Sequence, residues 1–229
     1  MDLRQTEVME TIFRAKEKFK CVVAGRRFGK TYLGMMWLLG GVLKPGQRRW
    51  VLMPTYRQGK LVALPVLKQI LRAYSDSVQI NESDLTCKIA GAEIAIKGTE
   101  DTSKLRGSHL DRCLLDEYAF MKPGVWEEVI YPMTTTVPDS KALFIGTPDG
   151  FSNGFYEMYL KGQDENEPDW KSWQFTTLDG GWVPKKELER AKRTMDERTF
   201  RQEFMASFEA SQNRCAYNFK REQNVKNIE

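Results

Sequence analysis

Four residues carry chemistry that the rest of the chain must position: Lys30, Thr31, Asp116 and Glu117. The first two close the stretch AGRRFGKT, which runs Ala24, Gly25, Arg26, Arg27, Phe28, Gly29, Lys30, Thr31. An apolar run, Cys21-Val22-Val23, precedes it, and a helical run from Tyr32 to Leu39 follows. A buried strand feeding a Gly-rich turn that opens a helix gathers backbone N–H groups around a polyphosphate. Lys30 would then reach the β- and γ-phosphates of a nucleotide such as ATP, and the Thr31 hydroxyl would hold Mg²⁺. Ala24 stands where the strict pattern wants glycine. An ordinary basic turn is the bland alternative, and the strand–turn–helix context argues against it.

Asp116-Glu117 ends a second apolar run, Cys113-Leu114-Leu115. After a phosphate loop, the first acid of such a pair holds Mg²⁺ and the second polarises the water that attacks the γ-phosphate. Alone, the pair would read as a helix start. Charge spreading over the γ-phosphate also calls for arginine, whose planar fork matches it better than lysine does. Arg26 lies in the loop, where it can serve in cis; a surface ion pair is its plainer role. Arg106 lies on a polar stretch, Gly98 to Arg112, where it could reach a neighbouring subunit or contact nucleic-acid backbone. Thr147 ends a further apolar run, Lys141 to Ile145, in the turn Gly146-Thr147-Pro148. Gln5 precedes the first helical period and reads equally as a helix-start residue or as a reader of an adenine edge.

The elements around these residues follow from periodicity. Thr6 to Lys18 is helical through Val8, Met9, Ile12 and Phe13. Lys44 to Arg49 is a turn, and Trp50 to Met53 is a buried strand closed by Pro54. Arg57 to Tyr74 is helical, with a kink or a helix start expected at Pro65. Ser77 to Ile80 and Thr86 to Gly98 alternate as an antiparallel hairpin with a Gly91-Ala92 turn, extending the sheet at one edge. Val125 to Tyr131 and Phe151 to Lys161 read as helices, and Trp170 to Thr177 as another strand. Pro184 to Ala210 holds two helical segments joined near Met195, and the tail from Ser211 loses its period. The β-α-β-α rhythm predicts an α/β fold: a mainly parallel sheet between helices, with an antiparallel edge hairpin.

Composition sets the outer limits. In 229 residues, 41% hydrophobic and 29% charged, there is material for one large domain or one with a small appendage. Net charge +4, from 35 basic and 31 acidic residues, permits a polyanionic partner without demanding one. A single histidine, His109, excludes a histidine triad and a histidine zinc site. The four cysteines lack C-x-x-C spacing, and Cys21 and Cys113 are expected as buried thiols of a cytosolic protein. No apolar run is long enough to span a membrane.

With these residues in order, the chain resembles the ATPase domain of the large terminase subunit of tailed double-stranded DNA phages. The resemblance rests on Gln5, AGRRFGKT, MPTYRQ (Met53 to Gln58), CLLDEYAF (Cys113 to Phe120) and FIGTPDG (Phe144 to Gly150). It covers about the first two-thirds of the chain. It implies a P-loop NTPase of the additional-strand type, with an ATPase core over 1–178, a small helical lid over 179–212 and a linker over 213–229. It implies that Lys30 and Thr31 bind phosphate and magnesium, that Asp116 is the acidic magnesium position and that Glu117 is the catalytic base. Arg26 matches the loop arginine, Arg106 a finger acting across subunits, Thr147 a coupling motif and Gln5 the adenine-reading glutamine.

The resemblance further implies a motor that hydrolyses ATP with Mg²⁺ to drive double-stranded DNA into a procapsid, working in the host cytoplasm. Its partners would be DNA backbone, the portal protein and the small terminase subunit. A homo-oligomeric ring is expected on the portal and a monomer in isolation, with no membrane. The family carries a C-terminal nuclease whose acidic cluster has no counterpart before Glu229, so no nuclease activity is expected and the chain is expected to be part of a longer protein. A helicase-type, DNA-dependent ATPase would share the glutamine, the loop and the Asp-Glu strand. A nucleotide switch would have little use for Glu117, and a plain DNA-binding module would need a basic face. Lys185 to Arg201 instead interleaves both signs, as a solvated helix face does.

Overall fold

A computed structural model describes residues 3–72, 78–107 and 109–210, with side chains described from Glu7 onward. In chain order its helices are α1 (Leu3–Arg14), α2 (Lys30–Leu39), α3 (Tyr56–Gln58), α4 (Leu64–Leu71), α5 (Tyr131–Thr135), α6 (Gly154–Lys161), α7 (Lys185–Thr194) and α8 (Glu197–Met205). Its strands are β1 (Phe19–Ala24), β2 (Arg48–Met53), β3 (Val78–Asn81), β4 (Thr86–Ile89), β5 (Ala92–Gly98), β6 (Arg112–Asp116), β7 (Lys141–Gly146) and β8 (Trp170–Phe175). All eight form one sheet in the order β3-β4-β5-β2-β6-β7-β1-β8. From β5 to β8 every neighbouring pair is parallel, and β3, β4 and β5 run antiparallel at one edge.

The central strands are apolar because both faces are covered. Every residue of β1 is buried, as a parallel strand between two helical layers must be. Alternation sends Val22 and Ala24 to one face, with α2 and α4, and Cys21 and Val23 to the other, with Trp126, Phe144 and Phe155. Cys21, Cys87 and Cys113 are buried free thiols, and burial pushes the Cys87 thiol up to about 11. Cys215 lies outside the described residues.

Two local expectations need adjustment. The edge hairpin turns at Ala90-Gly91, not Gly91-Ala92, since Ile89 pairs with Ala92. Both turn residues have positive φ, 50° and 77°, the mirror-image turn whose twist suits a hairpin. The helix expected from Arg57 is continuous in course but widened: α3 passes through a π-helical segment, Gly59–Ala63, into α4, with Pro65 in the first turn of α4. A second π-helical segment, Val125–Ile130, precedes Pro132 in the same way. Proline offers no N–H and crowds the preceding turn, and a wider turn relieves both demands.

At the amino-terminal ends of the strands, three buried or half-buried cations satisfy the open carbonyls of helix ends. Lys20 donates to Ile12 O at 2.9 Å and Ala15 O at 2.6 Å, closing α1. Arg49 donates to the carbonyls of Leu38 (2.8 Å), Gly40 (2.9 Å) and Val42 (3.2 Å), and Arg112 to those of Trp37 and Gly40, both at 2.7 Å. Helix C-termini leave such carbonyls without partners, and cations there also oppose the helix dipole. Burial holds the Lys20 amine down at about 8.

Candidate phosphate and catalytic site

The sheet order places the chemistry. β6, β7 and β1 are adjacent and parallel, so their carboxyl ends meet at one edge, where α/β sheets bind ligands. Ala24 ends β1, the loop follows, and α2 opens at Lys30. Gly29 turns the chain into that helix with φ 95°, a left-handed conformation that glycine adopts without strain. The first N–H groups of α2 have no acceptors within the helix and point toward the loop's hollow.

Lys30 reaches across the hollow. Its Nζ donates to Thr147 Oγ1 at 2.8 Å, Gly25 O at 3.0 Å and Ala24 O at 3.3 Å. Thr31 Oγ1 donates to Asp116 Oδ2 at 2.7 Å, and Glu117 N donates to Asp116 Oδ1 at 2.9 Å. Lys30, Thr31, Asp116 and Thr147, read from three separate sequence stretches, thus form one bonded cluster. Asp116 is fully buried, and burial, helped by the neighbouring Glu117 charge, raises its carboxyl to about 6. Burial lowers the Lys30 amine, while Glu117 and Asp116 pull it back up. Glu117 holds φ 55°, a left-handed backbone rare for a side chain of its size. Such strain concentrates at functional sites.

The donors suit Mg²⁺. One carboxylate beside one hydroxyl, next to a hollow fit for phosphate, is the sparse oxygen set this ion uses when substrate phosphates complete its shell. No group of three or more His, Cys, Asp or Glu forms a protein-only metal cage among the described residues.

The remaining predicted residues fall into three groups. Arg26 and Arg27 are exposed at the cleft, with Lys30, Glu117 and Thr147, while Phe28 turns inward and stacks on Phe175 with ring centroids 5.5 Å apart. Arg106 is exposed and lines a different hollow with His109, Glu128 and Met133, so it does not join this chain's own cluster. Gln5 lies in α1, and its side chain lies outside the described residues.

The C-terminal third contributes residues that the motifs did not flag. The Arg26 guanidinium pairs with the Glu203 carboxylate of α8, and Arg26 N donates to Glu203 O at 2.6 Å. Thr177 Oγ1 donates to Arg26 O at 2.8 Å. A Cβ on Gly25 would lie 2.5 Å from Thr177 Oγ1 and 2.6 Å from Phe204 O, so only glycine admits this packing. The alternating signs around Glu203 match a solvated helix face, and nothing in its spacing marks it out. The two helical segments expected there are present and meet near Met195.

The sequence and the fold have counterparts. The family described as terminase large subunit, T4likevirus-type, N-terminal, matches residues 21–223. The chain belongs to that family. The terminase large subunit of Thermus virus P23-45 is 28% identical over 240 residues, 90% of this chain and 49% of its own length. That of Escherichia phage T5 is 25% identical over 228 residues, 98% and 51% of the two chains. The chain spans about half the length of these curated relatives. Among solved structures, the large terminase ATPase domain of Thermus phage P74-26 superposes with TM-score 0.70 at 25% identity, covering 88% of this chain and 92% of that one. The large terminase of another thermophilic bacteriophage, in complex with ADP, shares the fold with TM-score 0.72 at 19% identity over 91% of this chain and 54% of its own. Family membership confirms the expected fold and sets the terminase reading above the helicase-type alternative.

Proposed function

We propose that the chain is the ATP-hydrolysing motor domain of a terminase large subunit, acting with Mg²⁺ to move double-stranded DNA into a procapsid. The observation that carries this reading is the bonded cluster of Lys30, Thr31, Asp116 and Thr147 beside Glu117. Lys30 exchanges its carbonyl partners for β- and γ-phosphate oxygens. Thr31 and Asp116 would hold Mg²⁺, which when bound would neutralise charge on those oxygens. Glu117 orients and polarises the attacking water, and Arg26 meets charge on the γ-phosphate after leaving Glu203. Thr147, bonded to Lys30, responds to whether the γ-phosphate is present. Gln5 reads the adenine edge, and Arg106, aimed away from this chain's cluster, acts on a neighbouring subunit's nucleotide.

In this reading 1–178 form the core, 179–212 a lid and 213–229 a linker. The chain works in the host cytoplasm as a ring on the portal protein, with the small terminase subunit as a further partner. DNA is held through its backbone, independently of sequence and sensitively to salt. We assign no nuclease activity to these residues.

The test is Mg²⁺-dependent ATP hydrolysis measured against protein concentration. Glu117→Gln should lower the rate by about 10²–10⁴-fold while ATP still binds. Arg106→Ala should remove only the part of the specific rate that rises with concentration. A Glu117→Gln variant that hydrolyses at the unmodified rate would overturn the assignment of the base.

A further inference from the structure

Trp182 is the largest aromatic side chain left in water near the loop, 61% exposed. It follows Gly181, whose φ of 71° ends the 3₁₀ turn Thr177–Gly180 and swings the indole back over the loop. A Cβ placed on Gly29 would lie 2.8 Å from Trp182 Nε1 and 3.4 Å from its Cδ1. The indole therefore rests directly on the glycine that precedes Lys30. Beside it opens a narrow slot walled by Val8 and Met9 of α1, Tyr32 of α2 and Trp182, floored by Phe28, with Asp179 at its rim. Among the described residues the indole stacks on no other ring, although aromatic stacking is frequent elsewhere in the molecule.

The slot's chemistry is specific. Its walls are apolar and partly aromatic, which suits a flat ring. It adjoins the N-terminus of α2 at Gly29 and shares no lining residue with the cleft that holds Lys30 and Glu117, the γ-phosphate end. A nucleotide whose terminal phosphate sits at Glu117 must place its base away from that cleft, and the slot beside Gly29 and Tyr32 is the apolar hollow that adjoins the loop. We propose that the Trp182 indole is the stacking platform for the nucleobase, closing the slot between α1 and the loop. This rests on the phosphate-loop reading above and adds what that reading lacks, a stacking contact to the base. It also makes base recognition a property of the C-terminal segment, since Trp182 lies beyond the last strand of the sheet.

The experiment compares binding of ATP and of inorganic triphosphate, which has no base, by calorimetry with Mg²⁺. The unmodified chain, Trp182→Ala and Trp182→Phe are tested. Trp182 is exposed, so its replacement leaves the core intact, and circular dichroism checks this. Trp182→Ala should weaken ATP by about tenfold or more, leave triphosphate unchanged, and be largely rescued in Trp182→Phe. ATP affinity unchanged in Trp182→Ala overturns the platform while the phosphate site stands. Equal weakening of ATP and triphosphate also overturns it, because the indole then acts by holding the loop. If the unmodified chain binds neither ligand, both this inference and the reading beneath it fail.

Discussion

The two ends of the sheet both gather cations, and they use them oppositely. At the amino-terminal end, Lys20, Arg49 and Arg112 donate to carbonyls that helices α1 and α2 leave open. Those acceptors belong to helix ends packed inside the fold, so the cations there are fixtures of the fold. At the carboxyl-terminal end, Lys30 also donates to backbone carbonyls, those of Ala24 and Gly25, and Arg26 pairs with Glu203. These partners compete with a phosphate, which offers Lys30 and Arg26 stronger, charged acceptors. A buried cation on a helix end is structural; a buried cation on a loop that begins a helix is held ready.

Exchanging like for like separates the two ends. Lys30→Met should cause the largest effect, a fall in ATP hydrolysis of about 10²–10³-fold with the fold retained, although the Ala24 and Gly25 carbonyls lose a donor at a cost of about 1–3 kcal/mol. Loss of the fold instead would erase the distinction.

Lys20→Met should do the reverse. Two buried carbonyls lose their donor, costing about 1–3 kcal/mol, or about 2–4 °C of Tm per kcal/mol for a chain of this size. ATP binding by the molecules that remain folded should be unaffected. The pH dependence sharpens this. With the folded amine at about 8 and its ordinary value at 10.5, the unfolded chain holds this proton more tightly. Stability conferred by Lys20 should therefore rise between those values as pH increases. A stability gap between the two proteins that is flat across this window would count against the buried amine.

Asp116→Asn should give the most counterintuitive change in stability. The folded carboxyl is raised from 3.8 to about 6, so the folded chain holds this proton more tightly than the unfolded one. Its ionisation costs stability as pH rises from about 4 through 6. Without nucleotide, the variant should melt about 2–4 °C higher per kcal/mol gained at pH 8, and the advantage should vanish near pH 4. Hydrolysis should be lost. A variant less stable at pH 8 would mean that the bonds from Thr31 and Glu117 outweigh the cost of burying the charge.

The same contrast explains what could be read beforehand. The phosphate loop, the Asp-Glu strand end and the Gly-Thr-Pro turn are legible because their chemistry fixes residue types at fixed spacing. The strands are legible as apolar runs, but their starts are misplaced where a cation stands. Apolar patterning begins β1 at Cys21 although Lys20 is buried within it, and it places Arg49 in a turn and Arg112 in a loop although both belong to strands. It cannot foresee a cation buried by the carbonyls it caps. Glu203, Thr177 and Trp182 escape the motifs for a different reason. They act on the loop through tertiary contact, and their own neighbourhood in sequence looks like ordinary helix and turn.

The clamp on the loop has a consequence for the order in which the protein comes into being. Thr177 lies 151 residues beyond Arg26, its acceptor, and Glu203 lies further still. At a synthesis rate of about 5–20 residues per second, the loop leaves the ribosome about 9–35 s before α8 does. Once Thr147 has followed, the nascent chain carries every motif residue of the phosphate site but still lacks the segment that holds the loop from behind. Competence to clasp a nucleotide should therefore arrive late and abruptly, with the last helix, and not accumulate as the core forms.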